Sequence, residues 1–191
     1  PWNEPGIIMK MLDLGVLGII VPMINSKKEC ENFVSYCYYP PLGQRSFGPM
    51  RAQLIYGSDY YENANDQIVS LAMIETKEAV DNIDEILSVP NLTGVYIGPG
   101  DMCSSYGMKP QFDVKKDPIY SNIRMIANKA KQNGKIAGIH NGTVNYAKEM
   151  IELGYKFVTV SSDFRSMSTH AQNIVNEMKN NEKGKLSSSS Y

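Results

Sequence analysis

The sequence predicts an α/β protein built on a parallel sheet. Five apolar runs recur along its 191 residues: Val16 to Pro22, Ile68 to Ile74, Gly94 to Gly98, Lys135 to His140 and Phe157 to Val160. Each is continuous rather than alternating in polarity, as strands buried on both faces are. Between them lie stretches with helical periodicity and helix start or stop residues. Strands that alternate with helices imply crossover connections and parallel neighbours.

The first helix is expected over Pro5 to Asp13, with proline early and Gly15 past its end. The following run, "GVLGIIVPMI", is about half the roughly 18–20 residues of a membrane span and reads as a buried strand. Ser26 and Glu29 form a capping box for a helix to about Tyr36. Tyr39 to Asn65 carries Pro40, Pro41, Gly43, Gly48, Pro49 and Gly57 and reads as a long loop, a class that often carries function. Thr76 caps a helix over Lys77 to Leu87, whose apolar face is Ala79, Ile83, Ile86 and Leu87. Ile119 to Gln132 stops before Asn133-Gly134, and Thr143 to Leu153 stops at Gly154. The last helix runs from Phe164 to about Lys179, with Asp163 as its N-cap. The domain is expected over 1–181, followed by a polar tail over 182–191.

Composition narrows the function. Hydrophobic residues make up 42% of the chain, enough for a substantial core. The net charge is −1 and no basic stripe stands out, which argues against nucleic acid as the main partner. No run is long enough for a membrane helix. Three cysteines, Cys30, Cys37 and Cys103, are an odd number without a C-x-x-C, so reduced thiols and a cytoplasmic location are expected. A zinc site of two cysteines and two histidines lacks motif spacing. The opening "PWNEPGIIMK" has neither an initiator Met nor the form of a secretory signal, and it reads as part of a longer chain.

Two architectures accommodate five parallel strands. One is a doubly wound sheet; the other is a TIM barrel, which needs eight strands. In both, polar residues after the C-terminal ends of the strands form the site. Glu75 and Asp101 stand there, each directly after an apolar run. If their strands are neighbours, the strand ends lie about 5 Å apart. Two carboxylates that close repel, and a shared hard cation such as magnesium or manganese removes the repulsion. The alternative is that Glu75 caps the next helix and Asp101 serves a turn. In "IGPGD", Gly98 and Gly100 permit close backbone approach and Pro99 fixes the turn, so free N–H groups there suit a substrate carboxylate. His140 ends a strand and faces the same mouth, either to relay protons or to bond loop backbone.

The ordered set "PWNEP", "MLDLG", "GIIVPMI", "YPPLGQRSFGP", "NDQIVSLAMIETKEA", "LTGVYIGPGDM" and "ELGYKFVTVSSD" resembles the HpcH/HpaI family of metal-dependent (class II) pyruvate aldolases, in the pyruvate/phosphoenolpyruvate TIM-barrel superfamily. The resemblance covers nearly everything from Pro1 to about Met178. It implies a (β/α)8 barrel of which this chain holds about strands 4–8. It further implies that Glu75 and Asp101 are metal ligands, for magnesium or manganese, with cobalt a further option. Gly98, Pro99 and Gly100 match the backbone segment that meets the pyruvate carboxylate, and Pro22 lies beside the site. Asp13 matches an acidic residue given across a subunit boundary, which implies a homo-oligomer. Arg45 matches an arginine near the site, either a catalytic contact or a residue that orders its loop by binding a carboxylate.

The implied reaction is cleavage of a 4-hydroxy-2-oxo acid to pyruvate and an aldehyde through a metal-stabilised enolate. There are departures from the family pattern. Met73 stands where many members have a substrate-binding Gln, and Met cannot donate that hydrogen bond. The family's substrate Arg and acid/base His would fall upstream of Pro1. Two other readings remain: a lyase acting on a citramalyl- or malyl-type CoA thioester, and a non-catalytic barrel piece.

Overall fold

The computed structural model describes residues 2 to 188, and side chains as far as residue 179. The chain divides into two compact units, Pro1–Thr159 and Val160–Tyr191. Among the described residues no helix is long and apolar enough to cross a membrane.

The first unit opens with α1 (Pro5–Asp13), where the Glu4 carboxylate accepts from the N–H groups of Gly6 and Ile7. Strand β1 (Gly18–Val21) follows, then α2 (Lys27–Cys37) behind the expected capping box of Ser26 and Glu29. The expected loop over Tyr39 to Asn65 is only partly a loop. It contains α3 (Met50–Tyr56) and enters α4 (Tyr60–Gln67). Gly57, at φ 103°, splits what would otherwise be one helical stretch. The density of Pro and Gly before residue 50 masked both helices.

Strand β2 (Val69–Ile74) leads through Thr76, whose side chain caps Ala79 N–H, into α5 (Lys77–Asp81) and α6 (Ile83–Leu87). A single helix was expected here. Asn82 interrupts it, and its side-chain amide instead donates to Asn25 O at 2.8 Å. Strand β3 (Gly94–Ile97) is buried at every position and runs into α7 (Pro99–Ser105), where only a turn was expected. Proline at the first helical position explains the start. After α8 (Ile119–Gln132) come β4 (Ile136–Asn141), α9 (Val144–Glu152) and β5 (Phe157–Val160).

The five strands form one sheet in the order β1-β2-β3-β4-β5. Neighbours from β1 to β4 pair in parallel. Nothing reverses the strand order, so the sheet has the succession of a barrel and lacks the switch point of a doubly wound fold. Ala72, Ile74, Val95 and Ile97 of the sheet pack with Leu12, Phe33, Ile86 and Ile126 of the helices in one buried cluster. All three cysteines are free and buried, and burial pushes Cys30 and Cys37 up to about 12. All three thiols are packed into the core. Trp2 is 59% exposed at the lip of an apolar hollow beside β1.

The second unit consists of α10 (Asp163–Ser188) and its entry. Its cap is Ser162 rather than the expected Asp163: Ser162 Oγ accepts from Arg165 N–H at 3.2 Å. The backbone of the expected polar tail is helical through Ser188, because Lys, Glu and Leu favour helix strongly enough to tolerate the single Gly184. Residues 189–191 of that tail lie outside the described residues.

Candidate active site

The site grows out of the sheet register. Val21 pairs with Ala72, Ile74 with Ile97, and Ile97 with Ile139. One step beyond these pairs, Glu75, Gly98 and His140 stand at the same level on three neighbouring strands. A cleft of about 390 Å³ opens over this row. It is lined by Ile20, Met73, Glu75, Tyr96, Gly98, Pro99, Gly100, Asp101, Phe112 and His140.

Glu75 is 3% exposed and held on two sides. Its Oε1 accepts from the backbone N–H of Met23 at 2.8 Å. Met23 has φ 58°, a left-handed conformation that an ordinary side chain rarely adopts. The turn after Pro22 therefore spends backbone strain to aim one N–H at this carboxylate. On the other side, Gly98 is required to be glycine. A Cβ there would sit 2.6 Å from Glu75 Oε2 and 3.2 Å from Met73 Sδ.

Burial is the main cause that pushes the Glu75 carboxyl above the usual carboxylate range. The bond from Met23 pulls it back, and the Asp101 charge pushes it up again. The two acids thus share one cleft and feel each other. Asp101 sits in the first turn of α7 and is exposed. A Cβ on Gly100 would meet nothing within 4 Å, so its backbone borders open space.

The structure gathers Glu75, Gly98, Pro99, Gly100 and Asp101 in one cleft. Pro22 lines the adjacent hollow beside β1 and leads into the turn that holds Glu75. Asp13 and Arg45 lie elsewhere. Arg45 Nη2 donates to Asp13 Oδ1 at 2.7 Å, Nη1 donates to Tyr60 Oη at 3.1 Å, and the guanidinium lies 4.4 Å from the centre of the Tyr39 ring. The Arg45 side chain is fully buried, whereas that of Asp13 is 28% exposed and borders a different cavity with Lys10 and Arg51.

Sequence reasoning missed Met23, because nothing in a Met announces a positive φ. It also missed Tyr96 and Thr159, which read as ordinary strand residues. The His140 ring bonds the Thr159 hydroxyl at 2.9 Å.

Known proteins match this chain in sequence and in fold. The sequence profile of the HpcH/HpaI aldolase/citrate lyase family fits residues 1–170. A hydroxypyruvate/pyruvate aldolase of Rhizorhabdus wittichii is 42% identical over 91% of this chain and 69% of its own length. A 5-keto-4-deoxy-D-glucarate aldolase of Escherichia coli is 30% identical over 94% of this chain and 70% of its own length. The crystal structure of an HpcH/HpaI aldolase from Desulfitobacterium hafniense superposes with a TM-score of 0.84 at 24% identity, covering 94% of this chain and 70% of that one, and shows the same fold. On the family profile and the identity to named aldolases, the chain belongs to the HpcH/HpaI aldolase/citrate lyase family and is a carbon–carbon lyase of the aldehyde-lyase type.

Proposed function

We propose that the protein cleaves a 4-hydroxy-2-oxo acid to pyruvate and an aldehyde, with Glu75 and Asp101 holding one divalent cation. The observation that carries this reading is the shared cleft of these carboxylates and the Gly98–Gly100 backbone at the C-terminal edge of the sheet. The donor set suits a hard ion. Both ligands are carboxylates, and among the described residues no cluster of three or more His, Cys, Asp or Glu could hold a metal. The remaining positions would then fall to water and substrate oxygens, as magnesium or manganese accepts. Cobalt is the further option.

A bound divalent cation supplies Lewis-acid polarisation of the 2-oxo group and offsets the negative charge that develops on the pyruvate half. The rest falls to the chain. Met23 N–H and the bare Cα of Gly98 fix the Glu75 carboxylate before any ligand arrives. The Gly98–Gly100 backbone binds the substrate carboxylate, since no side chain at Gly100 blocks approach. In the retro-aldol step a proton leaves the C4 hydroxyl, the C3–C4 bond breaks, the aldehyde departs, and a proton is returned to C3 of the pyruvate half. Met73, Ile20 and Phe112 give the cleft an apolar wall. Asp13, presented by Arg45 on a different face, serves the site of a neighbouring subunit in a homo-oligomer.

A panel of 4-hydroxy-2-oxo acids, assayed by coupled pyruvate detection with added Mg²⁺ or Mn²⁺ and again with EDTA, tests the reading. Pyruvate that forms only with metal is the expected result. No pyruvate from any member, with either ion, would end it.

A further inference from the structure

The turn that follows β1 is braced by two rungs against the segment that carries Glu75. The first rung is the bond from Met23 N–H to Glu75 Oε1 at 2.8 Å. The second lies two residues further along the turn, where Thr76 Oγ1 donates to Asn25 Oδ1 at 2.5 Å. Residues 23 and 25 are thus tied to residues 75 and 76. Between the rungs, Ile24 is buried in the core.

The backbone of Asn25 is held on two further sides. Its carbonyl accepts from Asn82 Nδ2 at 2.8 Å, at the break between α5 and α6. Its N–H donates to Glu29 Oε2 at 2.7 Å, and Ser26 N–H donates to the same oxygen at 3.0 Å. Met23, at φ 58°, has no local reason to be left-handed. A residue stays in such a conformation when its surroundings over-determine it. Buried Ile24 and the three bonds of Asn25 supply that constraint.

We propose that Asn25 is a positioning residue for the Glu75 carboxylate. Through Thr76 and Asn82 it keeps the Met23 N–H aimed at Oε1, and so holds the carboxylate in one orientation toward a divalent cation. The cation part rests on the metal-ligand reading of Glu75 above; the placement of the Met23 N–H does not. Asn25 is not among the residues that line the cleft, so its effect on a cation there passes through Glu75. Groups that orient a metal ligand from behind change metal affinity by about 10–100-fold when removed.

The side chain can be removed without dismantling the turn. Asn25→Ala breaks the rung to Thr76 and leaves both backbone bonds of residue 25 in place. Thr76 keeps its capping bond from Ala79 N–H. Mn²⁺ is titrated into the whole protein well below the melting temperature, and free Mn²⁺ is read from its electron paramagnetic resonance signal. Asn25→Ala is expected to weaken Mn²⁺ binding on the order of tenfold. Asn25→Asp, which keeps an oxygen to accept from Thr76, is expected to bind no more weakly than the parent. Asn82→Ala removes the tether on the Asn25 carbonyl and is expected to weaken binding in the same direction. It carries the test alone if Asn25→Ala does not fold. An Asn25→Ala protein that melts lower but binds Mn²⁺ as the parent does overturns the positioning, since only stability has then changed. An Asn25→Asp protein as weak as Asn25→Ala overturns it too.

A parent that binds no Mn²⁺ refutes the metal-ligand reading instead. The placement is then decided by hydrogen exchange at the Met23 amide. That amide is expected to lose protection in Asn25→Ala while the amides of α8 keep theirs. Unchanged protection at Met23 overturns the placement.

Discussion

Asp13 and Glu75 are both acids at the ends of secondary-structure elements, and the protein treats them in opposite ways. Asp13 faces a fully buried arginine, which is itself wedged against Tyr39 and bonded to Tyr60. Glu75 is more deeply buried than Asp13, yet among the described residues its side chain has one backbone N–H as its bonded partner and a second acid, Asp101, nearby. The first carboxylate is satisfied by its own chain and ties α1 to the loop before α3. The second is held by one N–H from a strained turn and, among the described residues, has no cation paired with it. A buried charge left in that state is a structural liability unless something else supplies the opposite charge, which is why such groups mark functional sites.

The contrast can be broken or sharpened by mutation. The largest effect is expected at the uncompensated pair. Glu75→Gln or Asp101→Asn should lower metal-dependent pyruvate release on the order of 10²–10³-fold. Activity within tenfold of the parent would show that the acids are not the metal site. Next comes the compensated pair. Arg45→Met strands the Asp13 charge and removes the guanidinium from its aromatic cage, and denaturant unfolding should register a loss of about 2–4 kcal/mol, moderated by the partial exposure of Asp13. An unchanged midpoint would mean that the ion pair contributes nothing.

A smaller effect has the opposite sign. In EDTA, Glu75→Gln should raise the melting temperature by about 2–4 °C, because a neutral amide is cheaper to bury than a carboxylate that faces Asp101. Added Mn²⁺ should stabilise the parent and leave the Gln variant where it is. A Gln variant that melts below the metal-free parent would remove the argument from uncompensated burial.

The smallest effect lies at the surface. Glu149 accepts from Lys115 at 2.6 Å and from Tyr120 at 2.7 Å, and the first of these bonds is the main cause that holds its carboxyl below the usual carboxylate range. A depressed acid stabilises the fold above its unfolded value of about 4.3 and loses that contribution as pH falls through the folded one. Acid titration of Glu149→Gln should therefore show slightly less loss of stability below about pH 4 than the parent does. Superimposable curves would assign the pair no role.

Much of the fold was legible in the residues. All five strands lie where the continuous apolar runs put them, and α1 and α8 match to the residue, because their caps and breakers are local chemistry. The misses are tertiary. Asn82 breaks a helix because Asn25 is there to accept its amide. The helices α3 and α4 form in a stretch whose composition says loop, since burying Ala52, Tyr60 and Ala64 against the core outweighs local preference.

For the candidate site the same division holds. The acids and the Gly-Pro-Gly turn could be read from strand ends. Met23 and Thr159 could not, because their roles depend on which strand lies beside which.

The sequence by itself determined the alternation of apolar strands and helices, the kinship with a family of aldolases, and the two acids that follow their strands; that β1 and β5 are partly exposed rather than buried on both faces it did not. Those properties reside in short-range patterns of polarity and backbone preference. Only the tertiary structure decided that Glu75 lies against Gly98 beneath a strained Met23, that Arg45 closes on Asp13 away from the cleft, and that an imidazole on one strand meets a hydroxyl on the next. Each is set by strand register and by the contacts that burial enforces, and none of the three is written in any single stretch of the chain.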